Sequence, residues 1–272
     1  MALIYLVRHG QAGAGMGAYD DGNVEKSYDG LTERGRRQAD VVARSLVERL
    51  GSDGGDDGSG TDATDARTPR VFCGPLHRQH DTAAAVSSAL FPDRPTVGPG
   101  TGPATDPAWK EFDSDAVVVP WMKRNTETAR RLRQVMQDVR HGSGDVAEAE
   151  LAVREVLDGA LGEWIDSAGF QEFRETVLGG LGRATAAARE DGAAVVATSA
   201  GVIATCTAAV SGLPRQAVPS LVGRIFNASV TVLRVADEAG RHRGGSAGVD
   251  LLSFNEYAHL DRPDARGDLT LI

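Results

Sequence analysis

LIYLVRHGQAG, residues 3–13, decides the fold. Leu3 to Val7 form an unbroken apolar run, as in a strand buried on both faces. The run stops on Arg8 and His9 and turns at once through Gly10. Read alone, this fits a solvated turn after a first strand. It also fits a phosphate pocket, because ligands of open α/β sheets sit at the carboxyl ends of the strands.

The bulk composition narrows the classes. The 272 residues suffice for one large α/β domain or two small ones, and 41% hydrophobic residues suit a globule with a full core. The net charge of −9 opposes an extended grip on a nucleic-acid backbone, so an anionic ligand has to be held by a few local arginines. Cys73 and Cys206 are the only cysteines and follow neither metal nor redox spacing, which excludes a disulfide framework. No cationic segment followed by a long apolar stretch precedes the first strand, and no segment has the length of a membrane span. The expected location is the cytoplasm, with neither membrane nor nucleic acid as a partner.

Beyond the first strand, residues 12–30 read as a loop. LTERGRRQADVVARSLVERL, residues 31–50, then reads as a helix capped by Thr32, with Ala39, Val42, Ala43, Leu46, Val47 and Leu50 along its apolar stripe. Residues 51–68, GSDGGDDGSGTDATDART, are nearly devoid of apolar side chains and predict a mobile surface excursion. RVFCG (70–74) restarts the strand pattern, and a helix follows from about Arg78 to Leu90. Residues 121–158 and 167–190 read as long charged helices, so a helical insertion is expected at about 115–180, a cap over one end of the sheet. The last of these segments fits an ordinary crossover helix equally well. AAVVATSAG (193–201) is a buried strand, VIATCTAAVSG (202–212) a helix, and ASVTVLRV (228–235) and DLLSFNE (250–256) further strands. This alternation predicts a mostly parallel sheet covered on both faces.

Three apolar strands thus end on polar groups: Arg8 and His9 after the first, Arg78 one turn beyond the second, Thr198 and Ser199 after AAVVAT. If the strands are neighbours, these groups share one crevice. Two guanidiniums offer planar forks of donors to phosphoryl oxygens, and an imidazole between two cations stays neutral and nucleophilic.

YLVRHGQA, LTERGRRQA and GPLHRQHDTAAA, in this order and spacing, resemble the histidine phosphatase superfamily, with its phosphoglycerate-mutase-like fold. The resemblance extends over the whole chain. It implies one domain over 1–272: an α/β protein, a three-layer α/β/α sandwich with a mostly parallel central sheet and a helical cap. It makes His9 the nucleophile that becomes phosphohistidine and Arg8 and Arg78 the clamp on the phosphoryl oxygens. The family's carboxylic acid falls in PAWKEFDSDA (107–116), where Glu111 is the first choice and Asp113 and Asp115 are stand-ins. It would protonate the leaving oxygen and then activate water. The implied activity is metal-independent hydrolysis of a small phosphorylated substrate, with no cofactor.

Two departures bear on that activity. The family ends its fourth motif strand on a second histidine, and here VVATSAGVIA puts Ser199 in that place, expected among the phosphate-binding groups. A charge-assisted hydrogen bond of about 1.5–3 kcal/mol is lost, about one to two orders of magnitude in rate, of which a hydroxyl recovers part. A slowed phosphatase is the expectation, and a non-catalytic phospho-ligand binder the alternative. The family's mutases follow Arg-His-Gly with a hydroxyl residue and an asparagine, whereas RHGQAGAGMG has neither, which disfavours a mutase. His259, in NEYAHL (255–260), either turns toward the pocket or caps a surface strand.

Overall fold

The computed structural model describes residues 1–13, 29–51, 68–93, 102–236, 248–262 and 268–271. The excursion expected at 51–68 lies, apart from its two ends, outside the described residues.

In chain order the elements are β1 (Ala2–Arg8), α1 (Glu33–Gly51), β2 (Arg70–Cys73), α2 (His77–Leu90), β3 (Ala104–Thr105) and a 3₁₀ turn at Pro107–Trp109. Then come α3 (Ser114–Arg124), α4 (Thr126–Arg140), α5 (Val146–Trp164) and α6 (Ala168–Asp191). β4 (Ala193–Thr198), α7 (Ala200–Val210), a 3₁₀ turn at Arg215–Ala217, α8 (Val218–Val222), β5 (Val230–Val235) and β6 (Val249–Glu256) complete the series.

The strands form one sheet in the order β3-β2-β4-β1-β5-β6. β2, β3, β4 and β1 pair in parallel, while β5 runs antiparallel to both β1 and β6. The sheet is therefore mostly parallel. β1 pairs with β4 from Leu3–Ala193 to Arg8–Thr198, so the two strands end side by side.

Each face of the sheet has its own apolar layer. Ile4 and Leu6 of β1 and Ala194 and Val196 of β4 pack toward α6 and α7, against Val177, Leu181, Val202 and Ile203. Tyr5 and Val7 with Val195 and Ala197 face the other way, against Val42 and Leu46 of α1 and Ala83 and Val86 of α2. Alternate residues feeding two layers explain why both strands are apolar throughout. Fully burying one such side chain contributes roughly 1.5–3 kcal/mol. Helices α3, α4 and α5 add a third cluster, with Val118, Trp121, Leu132, Val135, Val153 and Val156 in contact.

Thr32 caps α1 as its sequence context indicates, accepting from Gly35 N–H at 2.9 Å. The first helix of the middle starts at Ser114 rather than at residue 121, and the run is broken at Asn125 and again before Asp145, which caps α5. Cys73 and Cys206 are buried free thiols. Among the described residues no helix is long and apolar enough to cross a membrane.

Candidate active site

The site begins where β1 ends. His9 N–H donates to Thr198 O at 2.9 Å, continuing the β1–β4 ladder one residue past the strand. On the other side Ala228 N–H reaches Arg8 O at 3.0 Å, and Asn227 Nδ2 donates to His9 O at 3.3 Å. The backbone under both side chains is thereby fixed from two neighbours. At Gly10 any Cβ would collide with the backbone of Gly35 at the start of α1, so glycine lets the chain turn there. Gly10 N–H donates to Thr82 Oγ1 at 3.1 Å, and that hydroxyl donates to Arg78 O at 2.8 Å, tying the turn to α2.

His9 is only 2% exposed. Its Nδ1 lies 2.8 Å from Gly10 O, which requires the proton on Nδ1 and leaves the lone pair on Nε2. Arg78 Nε–H donates to that Nε2 at 3.2 Å. Burial, then the guanidiniums of Arg78 and Arg8, hold the imidazole well below its ordinary pKa, outweighing the Gly10 hydrogen bond. It is neutral, with a directed lone pair.

The two arginines are oriented by fixed partners. Arg8 Nη1 donates to Ile225 O and, at 2.7 Å, to Leu271 O. Arg78 Nη1 lies 3.5 Å from Asp29 Oδ1, a carboxylate that also accepts from His77 N–H at 2.8 Å. Both arginines are more than nine-tenths buried.

Glu111 enters from the loop after the Pro107–Trp109 turn. Its Oε2 accepts from Gly201 N–H at 2.9 Å and its Oε1 from Phe112 N–H at 3.1 Å. Gly201 is glycine for a local reason, since a Cβ there would strike Glu111 Oε1. Burial raises the carboxyl above the usual range, opposed by these two hydrogen bonds and by Arg78 and Arg8. Of the two stand-ins, Asp113 is occupied as the cap of α3, accepting from Asp115 N–H and Ala116 N–H. Neither Asp113 nor Asp115 lines the cavity that Glu111 lines.

That cavity, about 130 Å³, brings together Arg8, His9, Arg78 and Glu111. Ser199 is not among its lining residues. It is 1% exposed at the N-cap of α7, and its Oγ accepts from Gln79 Nε2 at 2.8 Å. The same Gln79 amide donates to Trp109 O at 2.9 Å, an oxygen that also accepts from Thr198 Oγ1 at 2.8 Å. Gln79 thus joins α2, the loop bearing Glu111 and the end of β4. Sequence reading passed over it, although it follows Arg78 directly. His259 lies away from the cavity, its Nε2 2.8 Å from Ala228 O, buried rather than capping an exposed strand. Among the described residues no cluster of three or more His, Cys, Asp or Glu could hold a metal ion.

Chemically, the arrangement offers a nucleophilic nitrogen between two cations, and a carboxyl with a raised pKa in the same cavity. Such a set can hold a phosphoryl group in line, take it up and protonate its leaving oxygen.

No family model and no curated protein matches the chain. Solved structures do match. A phosphoglycerate mutase from Bacillus anthracis aligns with a TM-score of 0.51 at 12% identity, over 95% of this chain and 94% of its own. A candidate alpha-ribazole-5'-P phosphatase from Escherichia coli aligns at 0.48 and 17% identity, over 94% and 96%. A mycobacterial glucosyl-3-phosphoglycerate phosphatase solved with inorganic phosphate aligns at 0.45 and 19% identity, over 96% and 100%. The alignment with the mutase extends over nearly the whole of both chains and bears on fold alone: the chain has the phosphoglycerate-mutase-like fold.

Proposed function

We propose that the chain hydrolyses phosphomonoesters through a phosphohistidine on His9. The carrying observation is the imidazole itself: buried, neutral, its proton on Nδ1 and its Nε2 lone pair accepting from Arg78 Nε–H, with the charge of Arg8 also acting on the ring. An incoming phosphoryl oxygen competes for the Arg78 Nε–H and frees that lone pair. Nε2 then attacks phosphorus as the ester P–O bond breaks, and Glu111 gives its proton to the departing alkoxide. In the second half Glu111, now a carboxylate, takes a proton from water, whose oxygen attacks phosphorus. The P–N bond breaks, inorganic phosphate leaves and His9 returns to its neutral state. Arg8 and Arg78 neutralise the charge that gathers on the equatorial oxygens, the main contribution in phosphoryl transfer.

Ser199 serves the phosphate site from behind, through Gln79 and the start of α7. Its replacement of a histidine favours a second reading, a phosphate-binding protein without turnover. A metal-free assay with a chromogenic aryl phosphate from mildly acidic to neutral pH separates the two. The hydrolase reading expects turnover, and saturable phosphate binding with no turnover would establish the other. The acidic charge and free, buried cysteines suit a cytoplasmic location.

A further inference from the structure

The reacting groups are only part of the cavity's lining. Another part of the wall comes from elements beyond the motifs around Arg8 and Arg78. Phe112 follows Glu111, Val153 and Leu157 stand one turn apart on α5, Val222 ends α8, and Leu271 belongs to the C-terminal segment. Phe112 is itself held between Trp164, at 5.2 Å between ring centroids, and Phe173, at 6.3 Å. These side chains give the cavity that holds His9 a hydrocarbon surface.

Among the described residues the polar side chains on that wall are Ser114, Glu150 and Arg154. Glu150, Arg154 and Asp158 follow one another at four-residue spacing on α5, which puts the three on one helical stripe. Asp158 is acted on by both Arg154 and Arg224, and the stem of Arg154 lies along Gly223. The rim thus carries charge of both signs. A sugar or polyol leaving group would bring several hydroxyls against a lining of mostly hydrocarbon, and those that do not reach Ser114, Glu150 or Arg154 would lose water without gaining a partner. A second anionic group would meet Glu150 beside Arg154.

We propose, on the reading that the chain is a phosphomonoester hydrolase, that its substrates are phosphate esters of apolar alcohols, alkyl or arylalkyl. Esters of sugars, polyols and hydroxy acids are discriminated against. The alcohol is held by Phe112, Val153, Leu157 and Val222 while its phosphate sits between Arg8 and Arg78.

The test compares n-hexyl phosphate with glycerol 3-phosphate, both esters of primary alcohols, so that kcat/KM reports mainly the fit of the alcohol. Each methylene fully buried contributes about fourfold, so with two to three of them buried the hexyl ester is expected to lead by about 10- to 100-fold and the ethyl ester to fall between. Glycerol 3-phosphate turned over as well as the hexyl ester overturns the proposal. Val153→Thr, with its melting temperature checked against wild type, is expected to narrow the ratio, and an unchanged ratio in the folded variant counts against the wall. Calorimetric binding of hexylphosphonate, 2,3-dihydroxypropylphosphonate and methylphosphonate keeps the two readings apart. If no ester is hydrolysed the hydrolase reading fails, yet tightest binding of hexylphosphonate still supports the apolar wall. Equal binding of the three overturns it.

Discussion

His9 and Glu111 are shifted in opposite directions by the same burial, because desolvation disfavours the charged form of each. The signs fix the pH dependence. His9 attacks when neutral, and its lowered pKa keeps it neutral below the usual imidazole range. Glu111 donates when protonated, and its raised pKa keeps the proton above the usual carboxylate range. The kcat/KM profile is therefore expected to peak on the acidic side of neutrality, falling toward alkali as Glu111 ionises. Glu111→Gln should lower kcat by about 10²–10⁴-fold and remove the alkaline limb. A variant that keeps that limb would assign it to another group. Ser199→Ala is expected to cost less than tenfold in kcat/KM, since the hydroxyl meets Gln79 rather than the cavity. A loss of a hundredfold would put the serine in contact with the phosphoryl group. Of the four residues that share the cavity, Arg8, His9 and Arg78 stand at short range after apolar strands in the sequence, whereas Glu111 was singled out only by the family resemblance. Gln79 could not be named from the sequence, because its partners Trp109 and Ser199 are 30 and 120 residues away.

The strands were legible where they are buried on both faces, as in Leu3–Val7 and Ala193–Thr198, since hydrophobicity alone marks them. The two-residue β3 carries no pattern, and nothing in Val230–Val235 tells that it runs against its neighbour. Breaks among α3, α4 and α5 were blurred because all three share one apolar cluster. Least legible was the C-terminal segment. Gln38 Nε2 donates to Asp268 O and, at 2.9 Å, to Thr270 Oγ1, and Asn227 N–H donates to Thr270 O at 2.9 Å. These bonds deliver Leu271 O to Arg8, 263 positions away. Deleting residues 269–272 removes one of the acceptors that orient Arg8 and opens the apolar wall. The expected result is a KM raised by about tenfold with a smaller change in kcat, measured by steady-state kinetics on an aryl phosphate. An unchanged KM would show that Leu271 O is not needed to orient the guanidinium.

Across the whole molecule, acid sensitivity should come first from two buried imidazoles. His9 and His259 are both held below the ordinary histidine value, chiefly by burial. The unfolded chain takes up protons at both near pH 6.5 while the folded chain does not, so stability present above that pH is lost as pH falls through it. Thermal melts at pH 7.5 and 5.5 should show a drop, and His259→Gln, which keeps a donor for Ala228 O, should make it smaller. An identical drop in the variant would assign the acid sensitivity elsewhere. The chemistry proposed for the fold depends on one covalent event, and trapping it tests the account most directly. Protein mixed with a ³²P-labelled phosphomonoester should be quenched in alkali, and the label on the chain measured and mapped. The account expects label that survives alkali, is released by acid and maps to His9, and none on His9→Ala. Rapid turnover by His9→Ala, or wild-type turnover with no labelled protein at any quench time, would contradict it.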